Sequence, residues 1–185
     1  MGHLATFKLL PDSSGRYTVK FAGSLSLDDC IIRIAPLSAD TGRPAYASQA
    51  AVANLRNSIK VNGVLLAVTQ SGARLFKPAS HKGAQKTWDE FLCDSAAVVR
   101  YQELGYALLG LYGDGCARAY SIPALKEIGS VKVDSFLDIR RFSEAIITSS
   151  GDILGWKGPS EMALINIFGT GQNLLRITFT IVLHR

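Results

Sequence analysis

Three histidines, three cysteines and two adjacent acidic pairs could carry metal or acid–base chemistry in this 185-residue sequence, and their spacing assembles neither. His3, His81 and His184 are scattered, with no cysteine or carboxylate partner at the two-to-five-residue ligand spacing that a local zinc site uses. They read as surface or loop residues. Cys30, Cys93 and Cys116 are widely spaced and odd in number, so they read as reduced core or strand residues of a cytosolic protein. Asp28-Asp29 and Asp89-Glu90 point neighbouring side chains apart on a strand, and they read as solvated loop charges.

Phosphate and nucleophile motifs are equally thin. No serine stands in a Gly-x-Ser-x-Gly elbow, and no Gly-x-x-x-x-Gly-Lys-Ser/Thr loop occurs. Gly169-Thr170-Gly171 follows an apolar run as a dinucleotide loop would, but it lacks the third glycine and the later acid, which leaves a turn. No catalytic residue, cofactor or metal is expected.

Binding has better candidates. Arg74, Lys77, Lys82 and Lys86, with His81 among them, form the densest basic stretch, suited to an acidic helix or anionic headgroups. Its alternative is an ordinary solvated loop. Ser80 sits where a phosphate would cancel that charge. Trp88-Asp89 is the dipeptide of WD repeats, but it sits in the cationic excursion and not at the strand end where the repeat would put it, and it reads as a chance match.

Three segments share one grammar: apolar strand, glycine turn, second strand carrying an aromatic. They are VLLAVTQSGARLFK (64–77), YALLGLYGDGCARAY (106–120) and AIITSSGDILGW (145–156). Glycine and aspartate supply the positive φ of tight hairpin turns, so each reads as a β-hairpin turning at Gly72, Gly115 or Gly151. Those glycines lie roughly 40 residues apart, the period of a propeller blade; three unrelated hairpins of a sandwich or barrel are the alternative. Further strands are expected at 5–9, 17–22, 30–35, 96–101, 128–133 and 163–168. Hairpin loops are expected at 11–15 and 40–44, a helical turn at 47–55, and an exposed excursion at 77–86 leading to a short helix or turn at 88–93.

With 48% hydrophobic and 19% charged residues the chain is that of a folded protein, and its net charge of +5 favours an acidic partner without the basic density of a nucleic-acid binder. No signal-peptide layout opens the sequence, and no apolar run approaches the ~18 residues of a membrane-spanning helix. The fold class is therefore all-β: a partial β-propeller of about three to four four-stranded, WD-like antiparallel blades in an incomplete ring, since 185 residues cannot hold seven blades of about 40. Residues 1–172 hold the blades. The apolar tail 173–185, NLLRITFTIVLHR, is either a last strand that closes a blade or an unassigned, non-native segment prone to aggregate.

The stretches GHLATFKLLPDSSGRYTVKFAGS (2–24), NGVLLAVTQSGARLFKPASHKGAQKTWDEFLCDSAAVVRY (62–101), GYALLGLYGDGCARAYSIPALKEIGSVKV (105–133) and SGDILGWKGPSEMALINIFGTGQ (150–172) resemble the fungal lethal giant larvae and tomosyn family. The resemblance fades after Gln172. It implies part of the second of two seven-bladed propellers in a larger cytosolic scaffold. It also implies plasma-membrane SNARE proteins as partners, with a Rab-type GTPase and the exocyst, at the periphery of the plasma membrane, in the docking of secretory vesicles. No residue set for SNARE contact carries over to named positions. The competing reading is a small basic module that binds anionic membrane or another polyanion through Arg74 to Lys86. A partial blade array leaves sheet faces uncovered, so self-association is expected.

Overall fold

Residues 106–112, Tyr-Ala-Leu-Leu-Gly-Leu-Tyr, are apolar at both parities, so a strand made from them must be covered on both faces. In the computed structural model, which describes residues 2–44, 63–78, 80–88, 90–101, 105–168 and the backbone of 175–184, that segment is the second strand of a central four-stranded sheet. Ala107, Leu109 and Leu111 face one neighbouring sheet, and Leu108 and Tyr112 face the other.

Fourteen strands are described. A hairpin of β1 (Gly2–Pro11) and β2 (Tyr17–Leu27) comes first. Three antiparallel meanders follow: β3 (Ile31–Ser38), β4 (Gly63–Thr69), β5 (Gly72–Phe76) and β6 (Gly83–Thr87); β7 (Cys93–Arg100), β8 (Tyr106–Tyr112), β9 (Cys116–Ser121) and β10 (Glu127–Lys132); β11 (Ile146–Ile147), β12 (Asp152–Trp156), β13 (Glu161–Phe168) and β14 (Leu175–His184). Each meander runs in sequence order, as propeller blades do, and none of the sheets closes on itself. The all-β, partial-propeller expectation holds.

Period-two patterning places the core between sheets. Val98, Leu108 and Tyr120, in register across β7, β8 and β9, pack toward the first meander on Leu66, Val68 and Leu75. One residue along, Val99, Leu109 and Ala119 turn to the third meander and meet Ile153, Ile165 and Ile167. A one-residue slip would exchange the two sets. The β1–β2 hairpin packs on the far side of the first meander, with Leu4 and Leu27 against Ala67 and Phe76.

The six strand expectations fall on β1, β2, β3, β7, β10 and β13. The loop at 11–15 is a hairpin turn in which the Asp12 carboxylate accepts from the backbone N–H groups of Ser14 and Arg16, with Gly15 at φ +77°. Residues 175–184 of the tail form β14, the fourth strand of the third meander, antiparallel to β13. The helical turn expected at 47–55 and the Gly169–Gly171 turn lie outside the described residues.

Several expectations need correction. Gly72 and Gly115 both turn the second strand of a meander into the third, but Gly151 turns β11 into β12, the first into the second. The position equivalent to Gly72 and Gly115 is Gly158, in the β12–β13 connection; the three are spaced evenly at 43 residues. Gly151 does turn a hairpin, as expected, but not the one that Gly72 and Gly115 turn. Gly115 and Gly151 do take positive φ, at +79° and +88°. Gly72 does not: it lies at the start of β5, where an added Cβ would sit 2.6 Å from the Lys86 carbonyl oxygen. Gly72→Ala must therefore push β6 off β5 and should cost about 1–3 kcal/mol, read as a lower urea midpoint at unchanged slope.

No helix occupies the described part of 88–93; residues 90 and 91 bend into β7. The described helical element is a 3-10 helix at Ile139–Glu144, capped by the Asp138 carboxylate accepting from the Arg140 N–H, with Phe142 buried. Cys93 and Cys116 are buried strand residues, as expected. Cys30 is exposed, in the short connection between β2 and β3.

Candidate binding surface

The basic stretch expected as one loop is a hairpin, and its sheet divides it. Arg74 lies on β5 opposite Gln85, whereas Lys86 on β6 stands opposite Ala73. Opposed residues share a face and successive residues alternate, so Arg74 and Lys86 project on opposite sides. Arg74 shares its face with Phe76, its guanidinium carbon 6.0 Å from that ring, and points toward the β1–β2 hairpin. Lys77 and Lys82 are exposed at the hairpin end, where the Lys77 N–H donates to the Lys82 carbonyl at 3.1 Å. His81, at φ +55°, sets its ring edge-on to Phe76. Ser80 is exposed beside them.

A cleft of about 230 Å³ separates the hairpin from the first meander, and acids share it with Arg74: Asp28 and Asp29 line it. Asp29 is a clamp and not the solvated charge expected of it. One carboxylate oxygen accepts the Cys30 N–H at 2.7 Å and the other the Ser71 N–H at 2.6 Å, fastening the β2–β3 connection to the β4–β5 turn. Hydrogen bonding from Ser71 holds its carboxyl below the usual carboxylate range against the opposing effect of burial, with help from the Cys30 N–H. A carboxyl depressed in the folded state stabilises fully above its unfolded value, and that contribution is lost as pH falls through the folded one. Asp29→Asn should therefore lower stability at neutral pH and flatten its decline on acidification, measured as denaturation midpoints from neutral pH to about pH 3.

Between the first two meanders lies a second cleft, about 250 Å³, with an aromatic floor. Trp88 follows β6 directly and is buried against Tyr120, ring centroids 5.0 Å apart, and edge-on to Tyr112 at 5.4 Å. Its indole N–H donates to the Thr69 carbonyl at 3.4 Å and its backbone N–H to the Ser71 carbonyl at 2.9 Å. Trp88 thus sits at a strand end and in the core, where the sequence had placed it in a cationic excursion; Asp89 lies outside the described residues.

Arg118 covers the Tyr112 ring at 4.9 Å and pairs through both terminal nitrogens with Asp114, at 2.9 and 2.5 Å. Burial works to raise the Asp114 carboxyl, but hydrogen bonds from Arg118 and Cys116 together with the Arg118 charge outweigh it, and the net direction is down. The Tyr112 hydroxyl is pushed up by burial beside Cys93, whose own thiol burial raises to about 12. Cys93 therefore stays a neutral thiol at physiological pH.

Phe91 lines this cleft and is 41% exposed, and its chain neighbour Leu92 is 54% exposed. Aromatic rings, an arginine and exposed apolar residues beside a groove make up the chemistry that dominates protein interfaces. Sequence reasoning noted Tyr120 after its hairpin turn but not its convergence with Trp88 and Tyr112, because the three come from separate segments of the chain. Among the described residues no three histidine, cysteine or acidic side chains gather as a metal site. No described helix is long and apolar enough to cross a membrane.

The family described as "Lethal giant larvae (Lgl) like, C-terminal" matches residues 1–184, so the match runs through β14 and does not stop at Gln172, as the sequence resemblance does. An uncharacterized protein of Schizosaccharomyces pombe, C1F3.03, is 26% identical over 181 residues, 95% of this chain. The lethal(2) giant larvae protein homolog SRO77 of Saccharomyces cerevisiae is 26% identical over 188 residues, 94% of this chain. The chain spans 18% of the length of each relative.

Proposed function

The chain belongs to the lethal giant larvae family, and from that premise we propose that it is a non-catalytic protein-interaction scaffold, part of a regulator that binds plasma-membrane SNARE proteins in vesicle docking and polarised exocytosis. The family match along residues 1–184 is the observation that carries this reading. Stacked sheets suit the role, because they hold surface side chains on a rigid frame. A Rab-type GTPase and the exocyst are the further partners of this reading, and its location is cytoplasmic, at the periphery of the plasma membrane. The blades belong to a larger C-terminal propeller.

A SNARE motif is an amphipathic helix, and an apolar groove recognises such a helix through residues spaced three and four apart. The cleft lined by Phe91 offers such a helix an aromatic floor for its apolar face, with Lys86, Glu90, Arg118 and Glu127 around it for its polar face. The polyanion reading is disfavoured by the division of Arg74 from Lys86 and by Asp28 and Asp29, which share the cleft that Arg74 faces.

Immobilised chain should retain purified cytoplasmic domains of a plasma-membrane SNARE in preference to heparin or to an unrelated coiled coil. Retention of heparin alone would replace the scaffold reading with the polyanion one.

A further inference from the structure

The β1–β2 hairpin has two faces, and only one is covered. Across its inner half Leu4, Leu25 and Leu27 share the face that packs on Ala67 and Phe76 of the first meander. β1 then runs on without interruption, while β2 accommodates an extra residue where the register shifts between Thr6 and Phe7. Alternation along β1 therefore sends Phe7, Leu9 and Pro11 to the side away from the meander, opposite Phe21, Val19 and Tyr17 of β2. The reverse side of this outer half carries the Lys8–Lys20 and Leu10–Thr18 pairs.

The result is a ladder of apolar cross-strand pairs in water. Phe7, Leu9, Tyr17, Val19 and Phe21 are 41–65% exposed, and the two phenylalanine rings stand edge-to-face at 5.7 Å. No formal charge lies on this face, whereas its reverse carries two lysines. A lone two-stranded sheet is marginal in water, and exposed apolar ladders of this kind mark contact sites.

We propose that this face docks on the same face of a second copy of the chain, about a twofold axis, hairpin stacked on hairpin. Three observations select that occupant. Among the described residues each neighbouring interface is already of this type, an apolar sheet face stacked on another, and the hairpin is the end of the described stack. The face is self-complementary, because unchanged apolar pairs meet their own kind and both lysine faces turn outward. Its size also fits. With aromatic side chains covering about 150–250 Å² each, the exposed halves of these residues offer on the order of 500 Å² per copy, a total of about 1,000 Å² that places the dimer at the weak, reversible end of specific interfaces. The inference does not rest on the SNARE reading.

Sedimentation velocity of the full chain over a range of concentrations tests it. A monomer–dimer equilibrium with a dissociation constant on the order of micromolar is expected. Val19→Lys, which places an unpaired charge in the contact, should raise that constant about tenfold or more at unchanged far-UV dichroism, with Phe7→Lys as a second variant on the partner strand. Lys20→Glu, on the reverse face, should leave it unchanged.

Strand pairing through the free edge of β1 is separable from face stacking. The Asp12 N–H bonds to the Arg16 carbonyl, so alternation points the Ala5 N–H to the free edge, and Ala5→Pro blocks edge pairing without taking a hydrogen bond from β2. Dimerisation that survives Ala5→Pro and fails in Val19→Lys is the expected pattern. A monomer at all concentrations, or loss in Ala5→Pro with none in Val19→Lys, overturns the proposal. So does a monomer that floats with phosphatidylserine vesicles and ceases to do so in Val19→Lys, which would give the face to a membrane.

Discussion

Ile165→Ala should lower the stability of the chain by about 2–5 kcal/mol, because the cavity it leaves lies between two sheets that cannot close on it independently. Ile165 is fully buried on β13, opposite Ile153 on β12, and packs in the cluster that joins the second and third meanders through Leu109 and Val99. Its loss removes contacts on both sides of the sheet interface. Ile146→Ala, by contrast, truncates a side chain that is mostly in water and should change stability by less than about 0.5 kcal/mol. Urea denaturation of the two variants beside the parent chain gives the comparison. Equal effects would mean that the second and third meanders do not stack through Ile165.

Trp88→Ala should be comparably severe, at about 3–5 kcal/mol. The indole rests on Tyr120, meets Tyr112 edge-on and donates to the Thr69 carbonyl, so its removal opens a void and leaves a carbonyl short of a donor between the first and second meanders. Trp88→Phe keeps most of the stacking but gives up the hydrogen bond, and its cost should fall between that of alanine and zero, near 1–2 kcal/mol. The phenylalanine variant should recover most of the thermal midpoint lost in the alanine variant. A Trp88→Phe variant as unstable as Trp88→Ala would assign the role of Trp88 to its N–H and not to its rings.

These two sites show which parts of the fold are open to sequence reasoning. Strands such as β7 and β8 are legible because apolar runs of strand length bounded by turn formers bury both parities, and β13 because its buried Ala163, Ile165 and Ile167 recur at period two. The identity of a turn within a blade is not local information. Gly151 satisfies the hairpin pattern as well as Gly158 satisfies the repeat, and only the strand order β11-β12-β13-β14 separates them.

Side chains acting over distance were missed for the same reason. Asp29 looks like any loop acid until the β4–β5 turn, 42 residues away in sequence, brings the Ser71 N–H to it. The basic cluster was visible as composition, but strand parity decides which way each cation points, and it separates Arg74 from Lys86. A register that opposes Arg74 to Gln85 has no signature within the stretch itself.

The apolar pairing in the outer half of the β1–β2 hairpin shows the converse case, in which the sequence carries the information and only the bulge conceals it. Phe7, Leu9, Val19 and Phe21 alternate plainly, yet the shift after Thr6 decides that they face away from the meander and not toward it. One extra residue in β2 thus determines whether these side chains serve the core or a partner.

The scaffold reading rests on a shaped interface and not on net charge, and a titration of a fluorescently labelled plasma-membrane SNARE cytoplasmic domain with the purified chain, at low and at high salt, tests that claim most directly. Saturable binding whose affinity changes little with salt is predicted, because contacts made by buried rings and apolar side chains are insensitive to screening. Binding that vanishes at high salt would transfer the contact to Arg74, Lys77, Lys82 and Lys86, and no saturable binding at either salt would contradict the assignment of SNARE recognition to this chain.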